Sequence, residues 1–97
     1  MTTYIMLLSW TDMGIKNVRE SPRRLDAARK QLADMGGAFK EFYLTMGEYD
    51  MVAVCEAPDD AVAARFALQL GRAGNVRSRT LKAFREGAYR EVVASLG

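Results

Sequence analysis

The stretch Tyr4-Ile5-Met6-Leu7-Leu8-Ser9-Trp10 is apolar at almost every position. A run of this length that is apolar on both faces predicts a strand at the centre of a sheet, covered on both sides. Residues 51–55, Met-Val-Ala-Val-Cys, have the same character. The two stretches therefore predict the two central strands of one sheet.

An amphipathic segment follows each of these predicted strands. The first begins at Ser21-Pro22, a serine N-cap followed by proline at the first helical position, and ends at Gly36-Gly37. The second begins at Pro58-Asp59-Asp60, with an aspartate at the N-cap, and ends within residues 71–75. Apolar residues recur at three- and four-residue spacing in both segments, which predicts two helices with one apolar stripe each. The stripes are Leu25, Ala28, Leu32 and Met35 in the first helix, and Val62, Ala63, Phe66, Ala67 and Leu70 in the second.

Two further strands complete the sheet. Residues 38–46 are rich in aromatic and β-forming residues, and the turn at residues 47–50 joins them to the strand at 51–55. The connection is too short for a parallel crossover, so this pair is predicted to be a hairpin. Residues 76–84 predict a fourth strand, and its cations Arg77, Arg79 and Lys82 favour an edge position. Residues 11–14 have the composition of a loop.

The order of elements is β-α-β-β-α-β with a helical tail. Residues 87–96 predict the tail, a short helix with Tyr89, Val92, Val93 and Leu96 turned inward. Right-handed crossovers place both main helices on one face of the sheet, with the first and third strands at its centre. The predicted fold class is α+β, a ferredoxin-like antiparallel sheet with two helices on one face plus a C-terminal helix. We expect residues 1–97 to form a single domain.

The sheet face away from the helices is predicted to be apolar, because every second residue of the two central strands lies on it. An exposed apolar patch of that size is unusual on a monomer. Two copies packed sheet to sheet about a two-fold axis would bury it. The alternative is that the C-terminal helix folds over this face. We favour the homodimer.

Charge and cysteine content narrow the function classes. The chain has 97 residues and a formal net charge of +2 from 14 basic and 12 acidic residues, without the basic bias of a nucleic-acid-binding protein. Cys55 is the one cysteine, so no intramolecular disulfide is possible. The apolar run near the start is too short for a signal sequence or a membrane span. We therefore expect a cytoplasmic protein that binds neither nucleic acid nor a membrane.

The sequence lacks most of the residues that usually bind metals and metal-containing cofactors. The chain has no histidine and one cysteine, which leaves no zinc, redox-metal or histidine-ligated haem site. A carboxylate site for a hard cation is conceivable, but the acidic residues concerned are better explained as turn and cap residues. They are Asp12, Glu48, Asp50, Glu56, Asp59 and Asp60. We predict no metal and no cofactor.

Several separated motifs resemble the GYD-domain family. They are Gly47-Glu48-Tyr49-Asp50, which runs on through Glu56-Ala57-Pro58-Asp59-Asp60, together with Trp10-Thr11-Asp12-Met13-Gly14-Ile15, Gly74-Asn75-Val76-Arg77 and Thr80-Leu81-Lys82-Ala83-Phe84. The resemblance covers about residues 4–84 and implies a dimeric α/β barrel of ferredoxin-like subunits. It implies no particular activity, because the family is one of uncharacterised function. Related dimeric α/β-barrel groups include small oxygenases, isomerases and ligand-sensing regulators, and fold alone does not choose among them.

Few residues qualify as candidate catalytic groups. Tyr49 beside Asp50 could donate a proton or orient a polar ligand, as could Tyr43, although glycine, tyrosine and aspartate also suit a hairpin turn. Cys55 has no histidine to activate it and is better explained as an inert buried thiol. A structural role for residues 47–50 is the favoured interpretation.

Two sets of residues are candidates for ligand binding. Tyr4, Trp10 and Tyr43 could line an apolar pocket, or could belong to the core, and Tyr49 could bind a polar group of the ligand. Arg77 and Arg79 lie two apart and share one face of a strand, where they could bind an anion. The alternatives for both arginines are solvation, or pairing with acids on a neighbouring strand or subunit.

Three functions remain open. The favoured one is a homodimer that holds a small organic ligand in a cleft beside its sheet, since aromatic and apolar residues exceed what a core of this size must hold. The second is a cofactor-free oxygenase or isomerase, which the lack of histidine and of a clear acid–base pair disfavours. The third is a structural or partner-binding dimer with no ligand.

Overall fold

The computed structural model describes residues Met1 to Gly97. Its strands are β1 (Thr2–Trp10), β2 (Ala38–Leu44), β3 (Met51–Ala57) and β4 (Val76–Ala83). They form one antiparallel sheet in the order β2-β3-β1-β4. The ferredoxin-like α+β fold is confirmed, with β1 and β3 at the centre and β4 at an edge. The predicted strand ends differ from these bounds by two residues at most.

Four α-helices accompany the sheet: α1 (Asp12–Lys16), α2 (Ser21–Asp34), α3 (Asp60–Ala73) and α4 (Glu86–Ala94). The predicted aspartate N-cap of α3 is confirmed, and so is its end within residues 71–75. The Asp59 carboxylate accepts a hydrogen bond from the Val62 backbone N–H, and Gly74 ends the helix with φ of 89°. Gly36, with φ of 90°, likewise follows the end of α2. No helix combines the length and the apolar character that crossing a membrane requires.

The prediction of a loop at residues 11–14 is wrong. Thr11 caps the short helix α1 by accepting a hydrogen bond from the Gly14 backbone N–H at 3.1 Å. Gly14 is needed because a Cβ there would lie 1.9 Å from the Asn75 carbonyl oxygen. A 3₁₀ turn (Val18–Glu20) then leads into α2, so that Ser21 is the first helical residue rather than the N-cap.

The core lies between the sheet and the helices α2 and α3. Met6 and Leu8 of β1 face the same side as Ala53 and Cys55 of β3, and all four are buried. Leu32 of α2 and Phe66 of α3 cover them and are buried almost completely. Fully burying one such side chain stabilises the fold by about 1.5–3 kcal/mol.

A bulge in β2 decides which side chains reach this core. Phe39 pairs with Cys55 and Glu41 with Val54, so Lys40 is an extra residue in the strand. The bulge shifts the alternation by one position. As a result Phe39 and Phe42 both pack against the core, while Glu41 and Tyr43 lie opposite residues of the other face.

That other face, which we call the open face, is apolar at its centre. Ile5 lies between Val54 and Leu81, and Leu7 lies between Val52 and Arg79. The side chains of Ile5, Leu7, Val52 and Val54 are only half-buried, and Leu81 is 49% exposed. Within one chain no element covers the open face, because α2 and α3 lie on the opposite side.

The prediction that the C-terminal helix turns its apolar residues inward is wrong. No residue of α4 is buried, and Tyr89 is 58% exposed. Its side-chain contacts are local, such as the ion pair between Arg90 and Glu86 at 2.7 Å. An amphipathic pattern predicts a helix but does not say what the apolar stripe packs against. In this chain α4 does not cover the open face.

Candidate functional site

A cleft of about 250 Å³ lies between the sheet and the helices α2 and α3. Small side chains create it, since Ala27 and Ala28 of α2 and Ala73 of α3 leave space that larger residues would fill. The sheet contributes larger apolar groups to the wall. These are Met6, Leu8, Trp10, Phe39, Phe42, Met51 and Val76. A second hollow, of about 270 Å³, shares Trp10, Ser21, Leu25, Phe42 and Met51 with the cleft.

Five polar residues also line the cleft: Ser21, Arg24, Gln31, Gln69 and Asn75. Arg24 is the only charged one. Its guanidinium donates hydrogen bonds to the Asn17 carbonyl at 3.0 Å and the Gly14 carbonyl at 3.3 Å, which leaves three of its five N–H groups free of protein partners. Gln31 donates to Gln69, so these two side chains bridge α2 and α3 beside the cleft. The cleft thus offers hydrogen-bonding groups and one positive charge, with no carboxylate.

Trp10 is the one predicted ligand-binding residue that lines the cleft. Its indole Nε1 is buried and has no hydrogen-bond partner, which is uncommon for a tryptophan in a protein interior. The backbone holds the residue firmly. Its N–H donates to the Asp50 carboxylate at 2.9 Å, and the neighbouring Leu8 carbonyl accepts from the Asp50 N–H at 2.9 Å.

The turn at residues 47–50 is tied to the end of β1 by these bonds. Thr45 closes the turn with two hydrogen bonds. Its backbone N–H donates to the Asp50 carbonyl, and its hydroxyl donates to the Tyr49 carbonyl. Gly47 has φ of 142°, a conformation that favours glycine. Neither Tyr49 nor Asp50 lines the cleft. Asp50 therefore positions the strand that carries Trp10.

Tyr4 lies away from the cleft, in a separate buried cluster with Ala57 and Ala63. Its hydroxyl donates to the Asp60 carboxylate, which also pairs with Lys82 at 3.1 Å. These two hydrogen bonds, Tyr4 first and then Lys82, lower the pKa of Asp60, and the bond to Asp60 raises the pKa of Tyr4. The arrangement ties β1 and β4 to the start of α3.

Tyr43, Arg77 and Arg79 belong to the open face. Tyr43 donates its hydroxyl hydrogen bond to Glu41, which raises the pKa of Tyr43. Tyr43 pairs with Val52, Val52 with Leu7, and Leu7 with Arg79, so one row crosses the sheet from edge to edge. The candidate residues therefore separate into different regions, and the structure does not bring them together in one pocket.

Cys55 is buried in the core. Burial raises the pKa of its thiol to about 11, so the thiol is protonated near neutral pH and is a poor nucleophile. Elsewhere, no three carboxylate or cysteine side chains come together in a way that could hold a metal ion.

The sequence did not single out Arg24, Gln31 or Gln69 as site residues. Arg24 and Gln31 are seven apart on α2 and flank its apolar stripe, which was the available signal. Polar residues beside an apolar stripe are usually solvated, so the spacing alone did not indicate a cleft.

Four antiparallel strands in this order, with the two long helices on one face, define a ferredoxin-like α+β protein. The family model of the GYD domain matches residues 4–93 of the sequence. The chain therefore belongs to the GYD-domain family.

The chain is also similar to a bacterial relative and to solved structures. The chain is 37% identical over 84 residues to the "Glutamine synthetase and cystathionine beta-lyase binding protein" of Thermus thermophilus, covering 86% of this chain and 88% of that one. The crystal structure of TTHA0845, also from Thermus thermophilus, is 25% identical, with a TM-score of 0.56 over 88% of this chain and 95% of that chain. The structure of the Pyrococcus horikoshii protein PHS023 shares the fold, with a TM-score of 0.55, 22% identity, and 89% and 93% of the two chains covered.

Proposed function

We propose that this chain works as a homodimer that binds a small organic ligand in the cleft between the sheet and the helices α2 and α3. The cleft itself is the observation that carries the proposal. It joins a mostly apolar wall to a few polar groups, the usual composition of a small-molecule site. Its volume of about 250 Å³ lies just below the range of roughly 300–1,000 Å³ that is usual for ligand pockets, so we expect a small ligand, of one or two rings or a short chain.

The charge of the lining indicates the ligand class. Arg24 contributes a positive charge and no carboxylate opposes it, so a cation would be repelled by the guanidinium and would lose hydration without meeting an opposite charge. The amides of Gln31, Gln69 and Asn75 can bond a neutral polar group. We therefore expect an apolar body with a carboxylate or a neutral acceptor at one end.

The proposal is for binding rather than for catalysis. Tyr43, Tyr49 and Asp50, the candidates for a cofactor-free oxygenase or isomerase, all lie outside the cleft. The Cys55 thiol is protonated near neutral pH. No acid–base pair faces the space in which a ligand would lie.

The dimer is proposed on the open face. Ile5, Leu7, Val52, Val54 and Leu81 form an apolar centre that nothing in one chain covers. Packing two such faces at the usual separation of about 10 Å would remove these side chains from water. The ligand cleft lies on the opposite side of the sheet and stays accessible in this dimer.

A charge series tests the ligand proposal. We expect 1-naphthoate and 1-naphthamide to raise the melting temperature and the 1-naphthylmethylammonium ion to leave it unchanged. Ala73→Trp fills the cleft from an exposed helix position and should abolish both shifts. Ala64→Trp, an exposed position on the same helix outside the lining, should retain them. Equal shifts with all three compounds, or shifts that survive Ala73→Trp, would contradict the proposal.

A second candidate function is binding to a metabolic enzyme. The Thermus relative carries the name of a protein that binds glutamine synthetase and cystathionine beta-lyase, and α4 here presents an apolar stripe to solvent. Titration of this chain with glutamine synthetase and with cystathionine β-lyase, both purified from the organism in which this chain occurs, tests this function. Saturable binding that Val93→Lys weakens would support it, and the absence of binding at micromolar concentrations would count against it.

A further inference from the structure

The second hollow adjoins the cleft near the start of α2. The two spaces, of about 270 and 250 Å³, are lined in common by Trp10, Ser21, Leu25, Phe42 and Met51. We propose that one elongated ligand occupies both, with a small polar head in the cleft and an unbranched apolar chain in the second hollow. The inference rests on the proposed ligand site and specifies the ligand class, a straight-chain carboxylate or its amide.

The two spaces differ in polarity. The hydrogen-bonding side chains that line the cleft alone are Arg24, Gln31, Gln69 and Asn75. The second hollow adds Val18, Pro22 and Leu44, whose side chains carry no charge and no hydrogen-bond donor. A carboxylate therefore meets an opposite charge only in the cleft, whereas the second hollow suits methylene groups.

Leu44 leaves apolar surface that such a chain would cover. It pairs with Met51 across β2 and β3, so both side chains lie on the side of the sheet that faces the helices. Met51 is 4% exposed, but Leu44 is 70% exposed. Val18, in the 3₁₀ turn before α2, also lines the second hollow and is 38% exposed. Each methylene group laid against these side chains would remove further apolar area from water.

The boundary between the two spaces favours a chain over a ring system. Side chains such as Leu25 and Phe42 contact both spaces, which form two hollows rather than one broad cavity. A methylene chain is narrow and can turn at each bond, so it can pass between such side chains. A fused-ring compound such as 1-naphthoate would occupy the cleft alone.

A series of straight-chain acids tests the inference. Hexanoate, octanoate, decanoate and dodecanoate are titrated into the protein by isothermal titration calorimetry. We expect one site per chain and an affinity that rises about threefold for each added methylene group, until the chain fills the second hollow.

Two variants change the second hollow at exposed positions. Val18→Trp fills it and Leu44→Asn makes its wall polar. Each should lower the affinity for dodecanoate by about tenfold or more and leave the affinity for hexanoate unchanged. Leu68→Asn, which changes an exposed leucine that lines neither space, is the matched control and should retain the full gain with chain length.

The acid series separates failure of this inference from failure of the ligand site. If neither the acids nor 1-naphthoate bind, both are overturned. If hexanoate and 1-naphthoate bind but dodecanoate binds no more tightly than hexanoate, only the elongated ligand is overturned. The same holds if Val18→Trp and Leu44→Asn keep the wild-type gain with chain length, or if they weaken hexanoate as much as dodecanoate.

Discussion

Asp50 shows how one residue links a turn to the candidate site. Its carboxylate accepts from the Trp10 N–H and its backbone N–H donates to the Leu8 carbonyl, so it holds the end of the central strand. This contact supports the structural interpretation of residues 47–50. Tyr49, by contrast, makes no side-chain hydrogen bond, although its carbonyl accepts one from Thr45.

We predict that Asp50→Ala lowers the free energy of unfolding by about 1.5–3 kcal/mol, because it removes a hydrogen bond to a charged acceptor and leaves the Trp10 N–H unpaired. Asp50→Asn keeps an acceptor and should lose less. Tyr49→Phe is the neutral control. Urea denaturation of the three variants measures the differences, and an Asp50→Ala chain as stable as the wild type would contradict this role.

Asp60 makes the stability of the chain depend on pH. Its pKa in the folded chain is lowered by the Tyr4 and Lys82 contacts, so the folded state favours the ionised carboxylate. The stability contributed in this way is complete above the pKa of aspartate in the unfolded chain, about 3.9. It is lost as the pH falls through the lower pKa of the folded state.

The corresponding prediction compares the wild type with Asp60→Asn. The wild type should be the more stable of the two at pH 7, and the difference in melting temperature should shrink as the pH falls below about 4. Asp26→Asn, an exposed aspartate without an ion pair, should show no such trend. A difference between the wild type and Asp60→Asn that is constant from pH 7 to pH 3 would rule out the proposed coupling.

At the scale of elements, α4 is the helix that its own chain does not bury. It contributes no buried residue, and its N-terminal neighbour Arg85 makes the contacts to the sheet, with Glu56 at 3.0 Å and Thr3 at 3.3 Å. Isolated helices of this length are marginal in water. The stability of the rest of the chain therefore depends little on α4.

We predict that a chain ending at Arg85 unfolds with a free energy within about 1 kcal/mol of the full-length value, since it keeps every buried residue. The truncated chain with Arg85→Ala should lose more, because it gives up the contacts to Glu56 and Thr3. Urea denaturation checks both at equal concentration. A large loss from truncation alone would show that α4 packs on the folded body.

The helices and strands were predicted well wherever a local sequence pattern determines the element. The two-sided apolar character of residues 4–10 and 51–55 predicted the central strands, and the aspartates at residues 59–60 and the glycines within residues 71–75 marked the two ends of α3. Helix α1 was missed because Gly14 weakens a helical pattern, and the reason for that glycine is a distant backbone, at Asn75.

The candidate site was predicted less well, because strand faces depend on pairing. The bulge at Lys40 places Tyr43 on the open face while Phe39 and Phe42 face the core. No local signal shows such an extra residue. The sequence could therefore indicate an aromatic pocket beside the sheet without identifying which aromatic residues line it.

In the whole molecule, the two faces of the sheet have different roles. One face forms the core and the cleft with α2 and α3. The open face, which is apolar at its centre, is proposed to meet a second copy. Leu7 lies at the middle of that face, where a charge would be desolvated by dimer formation.

The molar mass in solution, measured by light scattering at micromolar concentration, shows whether the open face joins two copies. We predict twice the chain mass of 10.8 kDa for the wild type. Leu7→Lys should give the mass of one chain, or an insoluble protein. Leu68→Lys, which changes a leucine that is 74% exposed on α3, should remain a dimer. A wild-type mass of one chain, or a Leu7→Lys variant that stays dimeric, would contradict the account.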